Sequence, residues 1–573
     1  MTETRIVGRP ASPGYATGTI HVLDVRPPAT LPLRADLQNP PSGGGALSPA
    51  SAVLDAARES ELLVDAIAAA AAEMRAFIAR LDADIARNAD AIGILGFQLA
   101  FMEDDALASP ALAEIAAGRS AIDAWCSTLA KEISGYQSAE DEYFRARASD
   151  LRDIRDRVLE CLQRGESQAE DWLAAIPSGA LLVAADLAPS RFLAIDAKRL
   201  GALLLLQGSP ASHVAMLARA RGLPMLVGLE SERSLAAGWH GMPAVVDANL
   251  GELVIKPGTA SLAMFASCVR REAAIDVVAE SLRLRSARTA DGEAVRVYVN
   301  VSALEELDEI DPASCDGIGL ARTEFLFRRD GGLPDEETQY QAYRRMVEWA
   351  RGRTVTIRTL DAGGDKPIPG VTLEGETNPF LGVRGLRLSF HRPEMFRVQL
   401  RALARAAAHG EIRLMAPMVT MPHELARVHE MLDEETAMLA QSRVVSARPV
   451  VGMMVEVPAA AIVAEEFDAG FFSIGSNDLA QYVAAVGRDV GVLADLASPT
   501  QPAMLHLIRR IVDAGRRRGI ETSLCGDAAS DPAEIAALLA TGLRALSVAP
   551  AQLARVKLAI ANARVSPASP SRE

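Results

Sequence analysis

The chain has 573 residues, 49% hydrophobic, 23% charged and only 4% aromatic, the composition of a soluble globular protein and a length that implies roughly three or four domains rather than one core. A formal net charge of -15 argues against nucleic acid or an anionic membrane surface as a partner, and it means that a phosphorylated anion would need a local basic cluster set against the global field. The first residues, Met-Thr-Glu-Thr-Arg-Ile6, lack the apolar core of a signal peptide, and no apolar run approaches the roughly 18 residues of a membrane helix, so no membrane insertion and a cytoplasmic location are expected.

In chain order, Ile6-Val7 and Ile20-His-Val-Leu23 read as strands joined through a turn at Ala11-Ser-Pro-Gly14, too short to stand alone and therefore expected to pair with something later. Residues 24 to 49, with Pro27-Pro28 and Pro40-Pro41-Ser-Gly-Gly-Gly45, read as an exposed loop. From about Ser51 to Arg164 apolar residues recur at i, i+3 and i+4, which predicts an inserted helical bundle. Short apolar runs then follow at Ala180 to Ala184, Ala202 to Leu206, Met225 to Gly228 and Ala244 to Val246, the texture of an α/β domain that the N-terminal strands would complete. A helical stretch over Ser261 to Ser286 reads as a connector. The expected domains are 1–29 plus 169–256, the insert 30–168, the connector 257–288 and a last domain 289–573.

In that last domain eight strand-like runs alternate with helical stretches: Val295 to Val299, Gly317 to Leu320, Val355 to Ile357, Ile412 to Met415, Val450 to Val455, Phe471 to Ile474, Thr522 to Leu524 and Leu546 to Val548. Eight such units fit a (β/α)8 TIM barrel in length and rhythm. A barrel makes its own prediction, that chemistry-bearing residues gather just after the strands. Arg322 and Glu324 follow the second, Arg358 and Asp361 to Lys366 the third, Glu456 the fifth, Asn477-Asp478 the sixth and Cys525-Gly-Asp527 the seventh. Glu456 and Asp478, about one unit apart, offer two hard oxygens that suit Mg2+ with positions left for water and substrate. Arg322, Arg358, Arg384 and Arg488 supply guanidinium groups that grip phosphate and carboxylate bidentately. Cys525 has two readings, a buried small hydrophobe and a general acid that protonates a carbanion-like carbon.

His213 lies in Gly208-Ser-Pro-Ala-Ser-His213-Val-Ala-Met-Leu-Ala-Arg219, where a small-residue loop leading into a helix leaves an imidazole uncrowded beside free backbone N–H groups. A solvated loop histidine is the plain alternative. A phosphohistidine carrier is the reading that the second half of the chain favours. The five cysteines are scattered and show no Cys-x-x-Cys spacing, so neither a disulfide framework nor a zinc site is expected.

These motifs resemble Enzyme I, the phosphoenolpyruvate-protein phosphotransferase family of the bacterial sugar phosphotransferase system. The resemblance runs from Ala11-Ser-Pro-Gly14 through Leu182-Val-Ala-Ala-Asp186 and the His213 loop to Arg322-Thr-Glu-Phe-Leu-Phe327, Thr359-Leu-Asp-Ala-Gly-Gly-Asp-Lys366, Asn378-Pro-Phe-Leu-Gly-Val-Arg384, Met454-Val-Glu-Val-Pro-Ala459, Phe471 to Tyr482 and Leu524-Cys-Gly-Asp527. It implies that His213 is phosphorylated and that Arg322, Arg358 and Arg488 hold phosphoenolpyruvate, with Lys366, Arg384 and Asn477 assisting. It also implies Mg2+ on Glu456 and Asp478, and Cys525 protonating the enolate to give pyruvate. The insert would dock the carrier protein HPr, the barrel would carry a homodimer contact, and the phosphohistidine domain would swivel between barrel and carrier.

Some positions depart from that pattern. Val214 stands where a threonine commonly follows the histidine, Pro210-Ala211 replaces a more polar pair, and Gly487 stands where an acidic residue often precedes Arg488. Two rivals are a phosphoenolpyruvate synthase or pyruvate phosphate dikinase, for which the chain has no nucleotide loop or spare length, and a non-catalytic regulatory homologue, against which the joint presence of His213, Glu456, Asp478 and Cys525 argues.

Overall fold

The computed structural model describes residues 3–23, 49–81, 95–96, 98–137, 142–163, 173, 175–210, 212–229, 238–327, 333–364, 368, 370–373, 375–376, 378–487, 493 and 496–565. Two compact units divide after Arg270.

In the first unit, strands β1 (Thr4–Val7), β2 (Arg9–Ser12), β3 (Tyr15–Val22), β4 (Ala180–Ala184), β5 (Leu200–Leu205), β6 (Met225–Val227), β7 (Pro243–Asp247) and β8 (Glu252–Ile255) form one sheet in the order β1-β8-β7-β3-β4-β5-β6-β2. Its centre, β3 to β6, is parallel. The uninterrupted apolar runs of β4 and β5 follow from that position, since a parallel sheet is covered on both faces. As expected, the N-terminal strands pair with later ones. Ala11 and Ser12, however, belong to strand β2, with Ser12 opposite Met225, and the turn itself falls at Pro13-Gly14, where Gly14 has φ 136°. This edge strand shows no alternation because it is only four residues long and contains Pro10, which an edge tolerates.

Helices α1 (Pro49–Leu81), α2 (Asp105–Ala116), α3 (Ala121–Gln137) and α4 (Glu142–Gln163) form the insert. They do not build a core of their own: Leu63, Met74, Trp125 and Ile154 belong to the same buried cluster as Leu182, Leu203, Val214 and Met225. The opposite face of the sheet buries Ile20, Leu181, Leu204 and Val246. Helix α5 (His213–Ala220) lies on the insert side, with Val214, Ala215, Leu217 and Ala218 buried at helical spacing. Helix α6 (Thr259–Leu282) crosses the division between the units.

The second unit is a closed, all-parallel barrel of β9 (Arg296–Val301), β10 (Gly317–Ala321), β11 (Thr354–Arg358), β12 (Ile412–Ala416), β13 (Val450–Val455), β14 (Phe471–Gly475), β15 (Glu521–Cys525) and β16 (Ala545–Val548), with β16 paired to β9. Each of the eight predicted runs is one of these strands, displaced by a residue or two at its ends. Side chains that alternate along the strands divide between a layer under the helices and an inner group of Leu320, Met415, Met454, Phe471 and Cys525. Lys557 donates from Nζ to the carbonyls of Arg283 and Arg285, both at 2.7 Å, just past the end of α6. Among the described residues no helix is long and apolar enough to cross a membrane.

Candidate active site

At the C-terminal ends of the barrel strands the fold concentrates charge in a buried space. Arg358 is the last residue of β11, and its Nη2 donates to Glu324 Oε1 at 2.8 Å while its Nη1 pairs with Asp361 Oδ2 at 2.9 Å. Arg384, fully buried, donates from Nη2 to Asp361 Oδ2 at 3.0 Å and from Nη1 to Asp478 Oδ1 at 3.1 Å. Asp361 thus lies between two guanidinium groups. Burial alone pulls both arginines down, and the surrounding carboxylates push them past their ordinary values, so both stay charged. Among the described residues the Nε atoms of both find no hydrogen-bond partner. Two buried donors next to acidic groups fit an anionic ligand that supplies the missing acceptor.

Glu456 directly follows β13 and is buried. Its Oε1 accepts the Met418 amide at 2.6 Å, and its Oε2 has no hydrogen-bond partner among the described residues. Burial, with Asp478 and Asp361 nearby, raises its carboxyl to about 8 against the pull of Arg358 and Arg384. Gly475, at the end of β14, makes room for this group: a Cβ there would lie 2.8 Å from Glu456 Oε2 and 2.9 Å from Glu456 Cβ. Asp478 follows in the first turn of helix α7 (Ser476–Ala484). Among the described residues no group of three or more His, Cys, Asp or Glu side chains is placed to hold a metal ion by itself. A pair of carboxylates with an orphaned oxygen fits a hard divalent cation that takes its remaining ligands from water and substrate, the habit of Mg2+.

Cys525 ends β15, two per cent exposed, and its thiol lies 3.5 Å from the Ile474 carbonyl and 3.7 Å from Ser473 Oγ. Burial pushes the thiol up to about 11, against the hydrogen bond from Ser473. Burial, which is the first reading of this residue, also keeps the proton on sulfur. Arg322, just after β10, is exposed and close enough to act on Cys525. The Asn477 side chain is engaged with Asp527, donating to its carboxylate at 3.2 Å and accepting its amide at 3.0 Å. Lys366 and Arg488 lie outside the described residues.

In the first unit His213 is not a solvated loop residue. It opens α5, where Ser212 Oγ accepts the Ala215 amide at 3.3 Å as N-cap. Its Nδ1 lies 3.2 Å from Asp150 Oδ1, and its side chain is 19% exposed. Of the residues around these sites, Asp361 and Glu324 stand inside motifs that the sequence displays, whereas Met418 and Asp150 carry no local signal.

Three family models match in order: the N-terminal domain of PEP-utilising enzymes over residues 7–147, their mobile domain over 176–255 and their PEP-binding domain over 278–565. The mobile domain contains His213, and the PEP-binding domain contains the barrel-end cluster. A phosphoenolpyruvate-protein phosphotransferase of Haloferax volcanii is 38% identical over 421 residues, 72% of each chain. One of Geobacillus stearothermophilus is 35% identical over 513 residues, 85% of this chain and 88% of the relative. A multiphosphoryl transfer protein of Xanthomonas campestris is 33% identical over 563 residues, 97% of this chain and 63% of that longer protein. With three domain models in sequence and relatives of this identity along most of its length, the chain belongs to the PEP-utilising enzymes, in the phosphoenolpyruvate-protein phosphotransferase family.

Proposed function

We propose that the protein transfers the phosphoryl group of phosphoenolpyruvate to its own His213, and from there to a histidine of an HPr-type carrier, with release of pyruvate. The observation that carries this reading is the barrel-end cluster, in which charged arginines, an orphaned carboxylate oxygen and a protonated thiol meet at the strand ends.

Arg322, Arg358 and Arg488 hold the carboxylate and phosphate of the substrate, with Lys366, Arg384 and the Asn477 amide or backbone assisting. Glu456 and Asp478 hold Mg2+, which when bound supplies charge neutralisation at the transferring phosphoryl and the leaving enolate. A ring nitrogen of His213 attacks phosphorus, the bond from phosphorus to the bridging oxygen breaks, and its electron pair passes into the enolate. Cys525 gives its proton to the methylene carbon, completing pyruvate, and the thiolate regains a proton from solvent. Phosphoryl transfer needs position and charge neutralisation more than covalent help, and that is the chemistry a rigid ring of strand ends provides. Swivelling of the phosphohistidine domain, docking of the carrier on the insert and self-association through the barrel complete the reading, as does a cytoplasmic location.

Incubation of the purified protein with Mg2+ and phosphoenolpyruvate should add one phosphoryl by intact mass, acid-labile and absent from His213→Ala. No added mass with ligand binding retained would make the chain a regulatory homologue.

A further inference from the structure

The environment of His213 holds a group for which the reading above has no use. Asp150 lies on α4, and its side chain is 1% exposed. Its Oδ1 sits 3.2 Å from His213 Nδ1 and 3.3 Å from Gln98 Nε2. Asp153, one helical turn further, accepts from the same Gln98 amide at 3.3 Å and from the Ser190 amide at 3.1 Å, and Ser190 Oγ donates to its other oxygen at 2.5 Å. Residues three apart share a helix face, so α4 turns two carboxylates toward the sheet domain, and Ser190 and Gln98 fix that face in place. Burying such a pair is costly unless every oxygen is used. The arrangement persists because the carboxylates are hydrogen-bonded across the shared core.

An ionised carboxylate accepts hydrogen bonds and donates none. A contact from Asp150 to Nδ1 therefore selects the tautomer with hydrogen on Nδ1 and leaves the lone pair on Nε2. We propose that Asp150, a residue of the helical insert, is the positioning residue of the phosphohistidine: it fixes the ring's tautomer and orientation so that Nε2 is the nucleophile, and it stabilises the cationic ring once Nε2 carries phosphoryl. The inference rests on the reading of His213 as the phosphorylated residue and extends it to a second domain. As phosphoryl arrives, the Nε2 lone pair becomes the N–P bond while the bridging P–O bond of phosphoenolpyruvate breaks. The ring then bears a positive charge with its Nδ1 proton still donated to Asp150. As phosphoryl leaves for the acceptor, the N–P pair returns to Nε2. No proton moves on His213 in either direction, so one carboxylate serves both transfers. The insert is thus part of the carrier site itself, in addition to any surface it offers a partner.

The full-length protein, labelled with 15N at its eight histidines, gives a direct readout, with His213→Ala assigning the signal. In its neutral form the wild-type ring should show hydrogen on Nδ1. Asp150→Asn, which keeps volume but can also donate to Nδ1, should yield mixed tautomers. Phosphorylation by phosphoenolpyruvate should slow by about tenfold or more at unchanged KM, the scale on which orienting partners of histidine act. Asp150→Ala should act in the same direction, with its thermal melting checked against wild type; if it does not fold, the asparagine variant alone decides. A wild-type ring with hydrogen on Nε2, or an unchanged tautomer and rate in a folded Asp150 variant, would overturn the assignment. Failure of the wild type to accept phosphoryl would instead remove the proposed function, and the tautomer measurement would still decide whether Asp150 orients the ring.

Discussion

Gly475→Ala is a one-carbon test of how the barrel holds its carboxylates. The glycine has φ −84°, which any residue adopts, so backbone strain does not enter. What the substitution adds is a methyl group 2.8 Å from Glu456 Oε2, 2.9 Å from Glu456 Cβ and 3.1 Å from Met454 Cγ. Ordinary carbon contacts begin near 3.5 Å, so each must open by about half an ångström. The Oε2 atom could swing away only by breaking the 2.6 Å bond from the Met418 amide to Oε1, and Glu456 Cβ cannot swing at all, since it is fixed to the end of β13. Overpacking of this kind costs roughly 1–3 kcal/mol, which in a unit of this size lowers Tm by a few degrees. Because the displaced group is the one assigned to the cation, affinity for Mg2+ or Mn2+ should fall on the order of tenfold or more. Calorimetric titration with Mn2+ and thermal melting read both effects. A variant that melts and binds cation as the wild type does would refute the placement of Glu456 against this strand.

Three further outcomes follow from the same geometry. Cys525→Ala should slow pyruvate formation far more than it weakens phosphoenolpyruvate binding; and since the thiol is pushed up to about 11 and stays protonated until the pH nears that value, alkylation of the native protein at this cysteine should remain slow at neutral pH and accelerate only toward it. Arg384→Met removes the guanidinium that bridges Asp361 and Asp478, leaving Arg358 on Asp361, and should destabilise the barrel by about 3–5 kcal/mol in denaturant titration; an unchanged midpoint would mean that the other groups around the two acids compensate fully. Lys557→Met removes two donors from the carbonyls just past α6 and should cost about 1–3 kcal/mol, seen as faster hydrogen exchange over Leu282 to Ala287, with no effect on ligand binding.

The barrel was legible because every strand is a local signal, a run of apolar and β-branched residues with a helix after it, and because the fold obliges chemistry to lie at one end of those runs. Arg358, Glu456, Asp478 and Cys525 could be picked out in this way. Met418 could not, since only its amide matters and its φ of 55° is set by the tertiary contact. Nor could Asp150, 63 residues from His213, because nothing in an amphipathic helix distinguishes a carboxylate on its buried face from one in solvent until the packing partner is known. The insert was readable as helical and unreadable as half of a shared core, since periodicity reports which face is buried and not against what. Strand β2 escaped for a related reason: its pairing partner is some 200 residues away, and four residues with a proline carry no period.

Charge balance gives the proposed cation a role in taking up the anion. Among the described residues Arg322, Arg358 and Arg384 face Glu324, Asp361, Glu456 and Asp478, so with every acid ionised these seven groups sum to one negative charge. Phosphoenolpyruvate brings a carboxylate and a phosphate to that site, and a like charge at about 4 Å costs about 4 kcal/mol at the effective dielectric of a protein surface. Burial first, and then Asp478 and Asp361 beside it, raise the Glu456 carboxyl to about 8. A divalent ion, if held by Glu456 and Asp478 as proposed, would turn the balance positive and make the arginines available to substrate. Removal of the metal by chelation should therefore abolish phosphoenolpyruvate binding as well as turnover. Replacing both acids, as Glu456→Gln with Asp478→Asn, should restore measurable binding in the presence of chelator while leaving transfer to His213 lost, because neutral amides remove the repulsion without supplying the cation. Equal binding by the wild-type protein with and without chelator would show that the arginines overcome the carboxylates unaided, and the division of labour drawn here would fail at its first step.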